Sequence, residues 1–462
     1  MTAIPILNGV YTSAQGDFVA SYPINREPIV QDSGMIAKGF LRPAPGVTQM
    51  GTGPGADRGS INWNGICYRV MGSKLVSVSS AGAVTVLGNI AGSDVCAFDY
   101  SFDRLGINGG GNLYYSTGAA PSRVTDPDLG NVIDMLWMNS HFMMTDGEYI
   151  VVTELSDPTA INPLKYGSSE ESPDPVTGLM KVRGELYACN RLTIEVFEYI
   201  GGNGFPLQRN ASALIEKGCV GPRAKAYIGD TFAFVGGGKN EAVGVYLAGP
   251  GQAAKISTQE IDELLATLSD AELYEINCEA RIDKDEQRLL IHLPNTTCVF
   301  YISASNAAGE KVWTFLNSGV QFENPYGPRN ATWCYSKWIV ADAEGRIGYL
   351  DYTVSTQFGE IAGYQFDTKL LYNGGAYAIL GSVELVGNVG RGGKIFFSST
   401  VDGRTWSQEQ AISGGDIGQR AQRLQWRPGR RFQQWMGLRF RGADAGTDSY
   451  ARLEADIETL LS

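Results

Sequence analysis

Along most of the chain, apolar and polar residues alternate over four to eight positions and are interrupted by Gly, Asn and Asp pairs. This is the pattern of short, half-buried strands joined by tight turns. Seven blocks of two to four such runs cover residues 66–90, 95–117, 132–155, 178–201, 224–257, 279–316 and 331–352. Their pieces correspond. Tyr68-Arg69-Val70 followed by Lys74-Leu75-Val76-Ser77-Val78 resembles Leu186-Tyr187-Ala188 followed by Thr193-Ile194-Glu195-Val196-Phe197. The plan recurs at Phe232-Ala233-Phe234-Val235 with Val243-Gly244-Val245-Tyr246-Leu247, and at Trp338-Ile339-Val340-Ala341 with Arg346-Ile347-Gly348-Tyr349-Leu350. Irregular repeats of roughly 30 to 55 residues, each a small antiparallel meander, predict a β-propeller of about six or seven blades. A β-sandwich array with fortuitous spacing is the alternative.

Two regions break the pattern. Ser257-Thr258-Gln259-Glu260 reads as a capping box, and Ile261, Leu264, Leu265 and Leu268 follow at helical spacing. Ser269-Asp270-Ala271-Glu272 is a second box, so a short helical pair is predicted at about 257–276. Residues 241–290 hold eleven Asp or Glu against four Lys or Arg. That acidic face is either solvated or a docking surface for a basic partner. After about residue 365 the strands lengthen, as at 379–386 and 394–399, and alternate as a half-exposed sheet does. The predicted organisation is an N-terminal segment, partly extended, over 1–65; an all-β propeller-like domain over 66–360 carrying the helical insertion; and a C-terminal β-sandwich-like domain over 365–462.

Composition narrows the function. Among 462 residues, 43% are hydrophobic and 19% charged, a globular balance, and the 58 glycines suit a turn-rich fold. No run approaches the length of a membrane-spanning helix, and the first residues lack the basic and apolar regions of a signal peptide, so synthesis in the cytoplasm is expected. The seven cysteines (67, 96, 189, 219, 278, 298, 334) include no CxxC and read as reduced, buried hydrophobes. With only His141 and His292, a histidine triad or metal cluster has little material, and His292, inside Leu289-Leu290-Ile291-His292-Leu293, reads as a core or sheet-face residue. A net charge of −12 argues against general nucleic-acid affinity.

The remaining candidate chemistry is structural. Thr400-Val401-Asp402-Gly403-Arg404-Thr405-Trp406 looks like an Asp-box, the hairpin turn of sialidase blades, in which the Asp holds the turn and the Trp packs between strands. Only one box is present, which weakens the alternative of a propeller glycoside hydrolase or carbohydrate-binding protein. Gly109-Gly110-Gly111 and Gly236-Gly237-Gly238 lack the continuation of a phosphate loop and read as hairpin tips. Asp126-Pro127-Asp128 lacks the other ligands of a calcium loop, and the methionines of 135–144 read as core. No catalytic, cofactor-binding or metal-binding set emerges. One charge reversal remains: residues 391–441 carry ten Lys or Arg and three acids, about +7, against about −19 elsewhere. Arg420, Arg423, Arg427, Arg430, Arg431, Arg439 and Arg441 are the candidate partner-binding residues; a solvated strand face is the bland alternative.

The order of several weak motifs is more informative than any one. Gly39-Phe40-Leu41-Arg42-Pro43-Ala44-Pro45-Gly46-Val47-Thr48 is followed by Tyr68-Arg69-Val70-Met71-Gly72-Ser73-Lys74-Leu75. Then come Ile215-Glu216-Lys217-Gly218-Cys219-Val220-Gly221 and Val245-Tyr246-Leu247-Ala248-Gly249-Pro250-Gly251-Gln252-Ala253. Arg288-Leu289-Leu290-Ile291-His292-Leu293-Pro294, the Asp-box-like turn, Arg423-Leu424-Gln425-Trp426 and Gly437-Leu438-Arg439-Phe440 close the series. This succession resembles the packaged-DNA stabilisation proteins, or tail hubs, of short-tailed lambdoid phages over nearly the whole chain. The resemblance implies a non-enzymatic structural protein of the virion tail, without cofactors. It implies a hexameric ring beneath the portal-adaptor ring that receives the tail needle, helps seat tailspikes, retains packaged DNA and continues the ejection channel. DNA would pass through that channel without sequence-specific binding.

Overall fold

The computed structural model describes all residues except 1, 8, 13–16, 31–38, 156 and 461–462. Seven antiparallel meanders of four or five strands follow one another along the chain. Their inner strands are Asp57–Trp63, Ala97–Tyr100, Asp134–Met138, Val176–Val182, Lys225–Ile228, Asn277–Asp283 and Arg329–Cys334, and we number the blades 1 to 7 in that order. Each blade contacts the next, and the inner strand of blade 7 packs against that of blade 1. The result is a closed seven-bladed propeller, with one of the seven sequence blocks in each blade. Closure uses distant chain: Gly46–Thr52 pairs with Arg346–Asp351 as the outermost strand of blade 7.

Turn chemistry sets the hairpins. Five of the seven inner hairpins turn on two residues with positive φ: Asn64-Gly65, Asn139-Ser140, Arg183-Gly184, Lys284-Asp285 and Tyr335-Ser336. That is the type I′ geometry, whose twist matches the strands it joins. Gly110-Gly111 also forms a hairpin tip, as expected. Gly236-Gly237 does not, because it lies inside strand Thr231–Gly237, against Gly218. A Cβ on Gly236 would stand 1.6 Å from the Gly218 carbonyl oxygen, so the glycine serves a close strand approach.

The helical insertion forms as Gln259–Ala266 (α1) and Asp270–Tyr274 (α2), with Ile261, Leu265 and Leu273 buried. The second capping box is present, but the first is not. Ser257 Oγ is already engaged with the Val245 N–H and Asp262, while Glu260 accepts the Ala20 N–H at 2.8 Å. Tertiary partners outcompete the local cap. A further helix, Ile302–Ala308 (α3), falls where the pattern had suggested only strands.

The second unit is a two-sheet sandwich. One sheet holds Ala378–Asn388, Leu424–Trp426, Arg430–Phe432 and Ser449–Thr459, together with Thr2–Ile4, Arg26–Val30 and Gly39–Pro43 from the start of the chain. The other is built on Tyr364–Asp367, Trp435–Gly442, Lys394–Thr400 and Gln410–Ser413. Phe366, Phe397, Trp426, Phe440 and Tyr450 fill the space between them. Rings of Phe366 and Phe440 stack at 5.3 Å, and each such buried side chain contributes about 1.5–3 kcal/mol.

Candidate partner-docking surface

The Asp-box-like turn is a closed hydrogen-bond unit. Asp402 Oδ1 accepts from the Thr400 hydroxyl (2.8 Å) and from the N–H groups of Arg404 (2.9 Å) and Thr405 (2.7 Å). Oδ2 accepts from the Thr405 hydroxyl at 2.6 Å. The Thr405 contacts lead in holding this carboxyl well below its usual range. Gly403, at φ +70°, lets the turn meet Thr12, whose N–H donates to its carbonyl. Trp406 is only half-buried, and it carries the Arg439 guanidinium 3.8 Å above its ring.

The seven arginines do not form one surface. Arg439 makes a two-pronged bond to Asp367, Arg423 to Glu384, and Arg441 reaches Glu409 and Gln321. Arg430 points inward and donates to the Ser399 carbonyl at 3.0 Å, bridging the two sheets. Arg420, Arg427 and Arg431 are exposed, and none of them has a carboxylate partner among the described residues. Three of the seven, Arg423, Arg439 and Arg441, are therefore paired with carboxylates, two of which, Glu384 and Asp367, come from outside the span.

The main electrostatic centre had no signal in the sequence. Glu27 is 1% exposed and faces Arg42 (2.9 Å), Arg288 (3.1 Å) and Arg281 (3.7 Å). Burial alone would raise its carboxyl, but the three guanidinium groups outweigh burial and hold it below its usual value. This knot ties the N-terminal strand of the sandwich to blade 6. Next to it in sequence, buried Arg26 stacks on Tyr364 at 3.6 Å and donates to the Asp448 carbonyl. Glu27 stands more than 250 residues from Arg281 and Arg288, so no spacing rule could have paired them.

Inside the propeller, polar groups serve the walls. Asp57 is paired with Arg69 at 2.8 Å, and Asp134 with Lys225 (2.8 Å) and Arg223 (3.0 Å). His292 lies between Thr297 and Glu279, each at 2.9 Å, and His141 contacts the Thr153 carbonyl. All seven cysteines are buried and unpaired, and burial raises their thiols. No group of three or more metal-ligating side chains converges among the described residues.

The architecture is a seven-bladed propeller tied to a β-sandwich by buried ion pairs. The chain belongs to the phage family described as "Bacteriophage P22 Gp10, beta-propeller", matched over residues 2–355; residues 363–458 match "Bacteriophage P22 Gp10, beta-sandwich". It is similar to the "Tail hub protein gp10" of Salmonella phage P22, at 25% identity over 95% of each chain. Among solved structures, it is similar to the Neurospora crassa Pan2 WD40 domain (10% identity, TM-score 0.43, 70% of this chain and 97% of that one). The N-terminal domain of Nup159 is a second (10% identity, TM-score 0.41, 70% and 98%). The chain is thus a structural tail-hub protein of a phage virion, and the glycosidase alternative falls with that assignment.

Proposed function

We propose that copies of this chain form a hexameric ring that docks beneath the adaptor ring extending the portal, receives the tail needle and helps seat tailspikes. In this reading the ring closes the filled head and continues the channel through which DNA leaves. The collinear match to a tail hub over 95% of both chains is the observation that carries it. Retaining DNA is a mechanical task, and heterologous contacts close a ring only when each subunit's rotation divides the circle. Propellers suit such a wall because their strand edges are short and protected. A net charge of −12 disfavours tight phosphate contacts and lets DNA slide.

The seven arginines are part of this proposal, with Arg420, Arg427 and Arg431 as the members open to a protein partner. We favour protein over DNA because a cationic collar would grip phosphates and slow ejection. Cryo-EM of the portal vertex in purified particles tests the reading. Six copies between adaptor and needle are expected; a location elsewhere in the particle would refute it.

A further inference from the structure

Two features singled out by the sequence have no task in the ring reading: the helical insertion and the Asp402 turn. One N-terminal element touches both. Gly9–Thr12 and Phe18–Ser21 pair with each other as a two-stranded hairpin and join no larger sheet. On the propeller side, the Ala20 N–H donates to Glu260 Oε1 at 2.8 Å, the contact that draws Glu260 away from its local cap. Tyr22, which follows the hairpin, bonds Thr258 at 2.7 Å, donates to Glu260 Oε2 at 3.3 Å and meets the Phe315 ring edge-on at 5.7 Å.

On the sandwich side, the Val10 N–H donates to the Thr368 carbonyl at 3.2 Å and the Thr12 N–H to the Gly403 carbonyl at 3.4 Å. The Ser21 hydroxyl donates to Asp367 Oδ2 at 2.7 Å. Asp367 also takes the two-pronged bond from Arg439, whose guanidinium lies on the Trp406 ring. The approach is so close that a Cβ on Gly9 would stand 2.5 Å from that of Asp367. Contacts therefore run without a break from helix α1, through the hairpin, to the Asp402 turn.

The attachment is mostly polar. Among the described residues of the two strands, Val19 is the one buried apolar side chain, while Phe18 is 62% and Tyr11 37% exposed. An isolated two-stranded hairpin is marginal in water. This one is held by hydrogen bonds to two carboxylates, which are stronger than bonds between neutral groups. Elements with few buried apolar contacts open as units while the core stays folded.

We infer that this hairpin is a strap that docks and undocks as one unit, coupling helix α1 of the propeller to the Asp402 turn of the sandwich. With the strap docked, helix and turn are held in one arrangement; with it released, each moves alone. The coupling lies within one chain, so its failure would leave the ring reading standing.

Hydrogen exchange of the full chain, resolved to single residues, tests the strap. Two amides report on it: Ala20 on Glu260, and Ser407, which closes the Asp402 turn on the Ser399 carbonyl at 2.9 Å. The amide of fully buried Phe234 is the reference, so that a general loss of stability is divided out. Glu260→Gln should speed exchange at Ser407 about fivefold or more relative to that reference, and Asp402→Ala should do the same at Ala20, because coupling between two sites is reciprocal. Tyr22→Phe keeps the ring against Phe315 and should also speed exchange at Ser407, which covers the case of a Glu260 variant that does not fold. A response confined to the substituted side, in either direction, would overturn the strap.

Discussion

The propeller and the sandwich solve the same packing problem with different use of the chain. Every blade of the propeller is made mostly from consecutive residues, and Gly46–Thr52 arrives from far away to close the ring. The sandwich is assembled from both ends: Thr2–Ile4 pairs with Ser449–Thr459, and Arg26–Val30 reaches that sheet through Gly39–Pro43. Local meanders carry little loop-closure cost, whereas the sandwich needs contacts across more than 400 residues. The N-terminal strands therefore add a tie between the two units beyond direct contacts such as Arg441 with Gln321, and Glu27 is its pin.

Glu27→Ala is expected to have the largest effect, because it leaves Arg42, Arg281 and Arg288 without their shared counter-charge. Breaking such a buried set costs about 3–5 kcal/mol. Denaturant unfolding followed by probes in both regions should show both shifted; a shift confined to one would show that the pin does not join them.

Core truncations should separate the regions again. Phe440 and Phe234 are both fully buried, the first in the sandwich and the second in blade 5. Each Phe→Ala should cost about 3–5 kcal/mol, mainly in its own region. Hydrogen exchange resolved by peptide reads the difference, and equal loss of protection in both regions would argue for a single cooperative unit. At the turn, Asp402→Ala should cost about 2 kcal/mol for several hydrogen bonds to a charged group. Trp406→Ala should cost less than a fully buried ring, since its outer face is covered only by Arg439. Calorimetry on each variant checks both values.

Acid should move the two regions in opposite directions. Burial, and then the neighbouring Asp444, pushes the Asp448 carboxyl up to about 6. Its ionised form is disfavoured in the fold, so its stabilisation is complete below the unfolded value of about 3.9 and is lost as pH rises through 6. Glu279 in blade 6 behaves oppositely. Burial would raise it, but His292 and the N–H groups of Ala331 and Asn330 hold it at about 2. That contribution is present above the unfolded value of about 4.3 and is lost as pH falls toward 2. Between pH 7 and 5 the sandwich should gain about 1 kcal/mol, and Asp448→Asn should abolish the gain. Stability measured against pH would sink this if the variant kept the wild-type slope. The smallest effect is expected for Arg423→Ala, because its pair with Glu384 is exposed and screened by solvent; the thermal unfolding midpoint should stay at the wild-type value.

Alternation and turn residues determined the meanders by themselves, because period-2 burial and two-residue turns are local properties. They marked a run of strands in each of the seven blades but limited the count only to six or seven, while the helical insertion is read from its capping residues and helical spacing. They were silent where the deciding partner lies far along the chain. The strand Asp57–Trp63 falls in the span expected as a partly extended N-terminal segment, yet it is the inner strand of blade 1, where Arg58 is buried and donates to the carbonyls of Asp94, Gly72 and Ala91. Ser257 has the residues of a cap but is claimed by Val245 and Asp262. The arginine-rich span reads as one basic surface, whereas folding brings Asp367, Glu384 and Glu409 to three of its members. Charge sums along a sequence ignore who faces whom, and only tertiary structure settles whether a charge is left for a partner. Arg420, Arg427 and Arg431 are the ones that folding leaves exposed and without a carboxylate partner among the described residues.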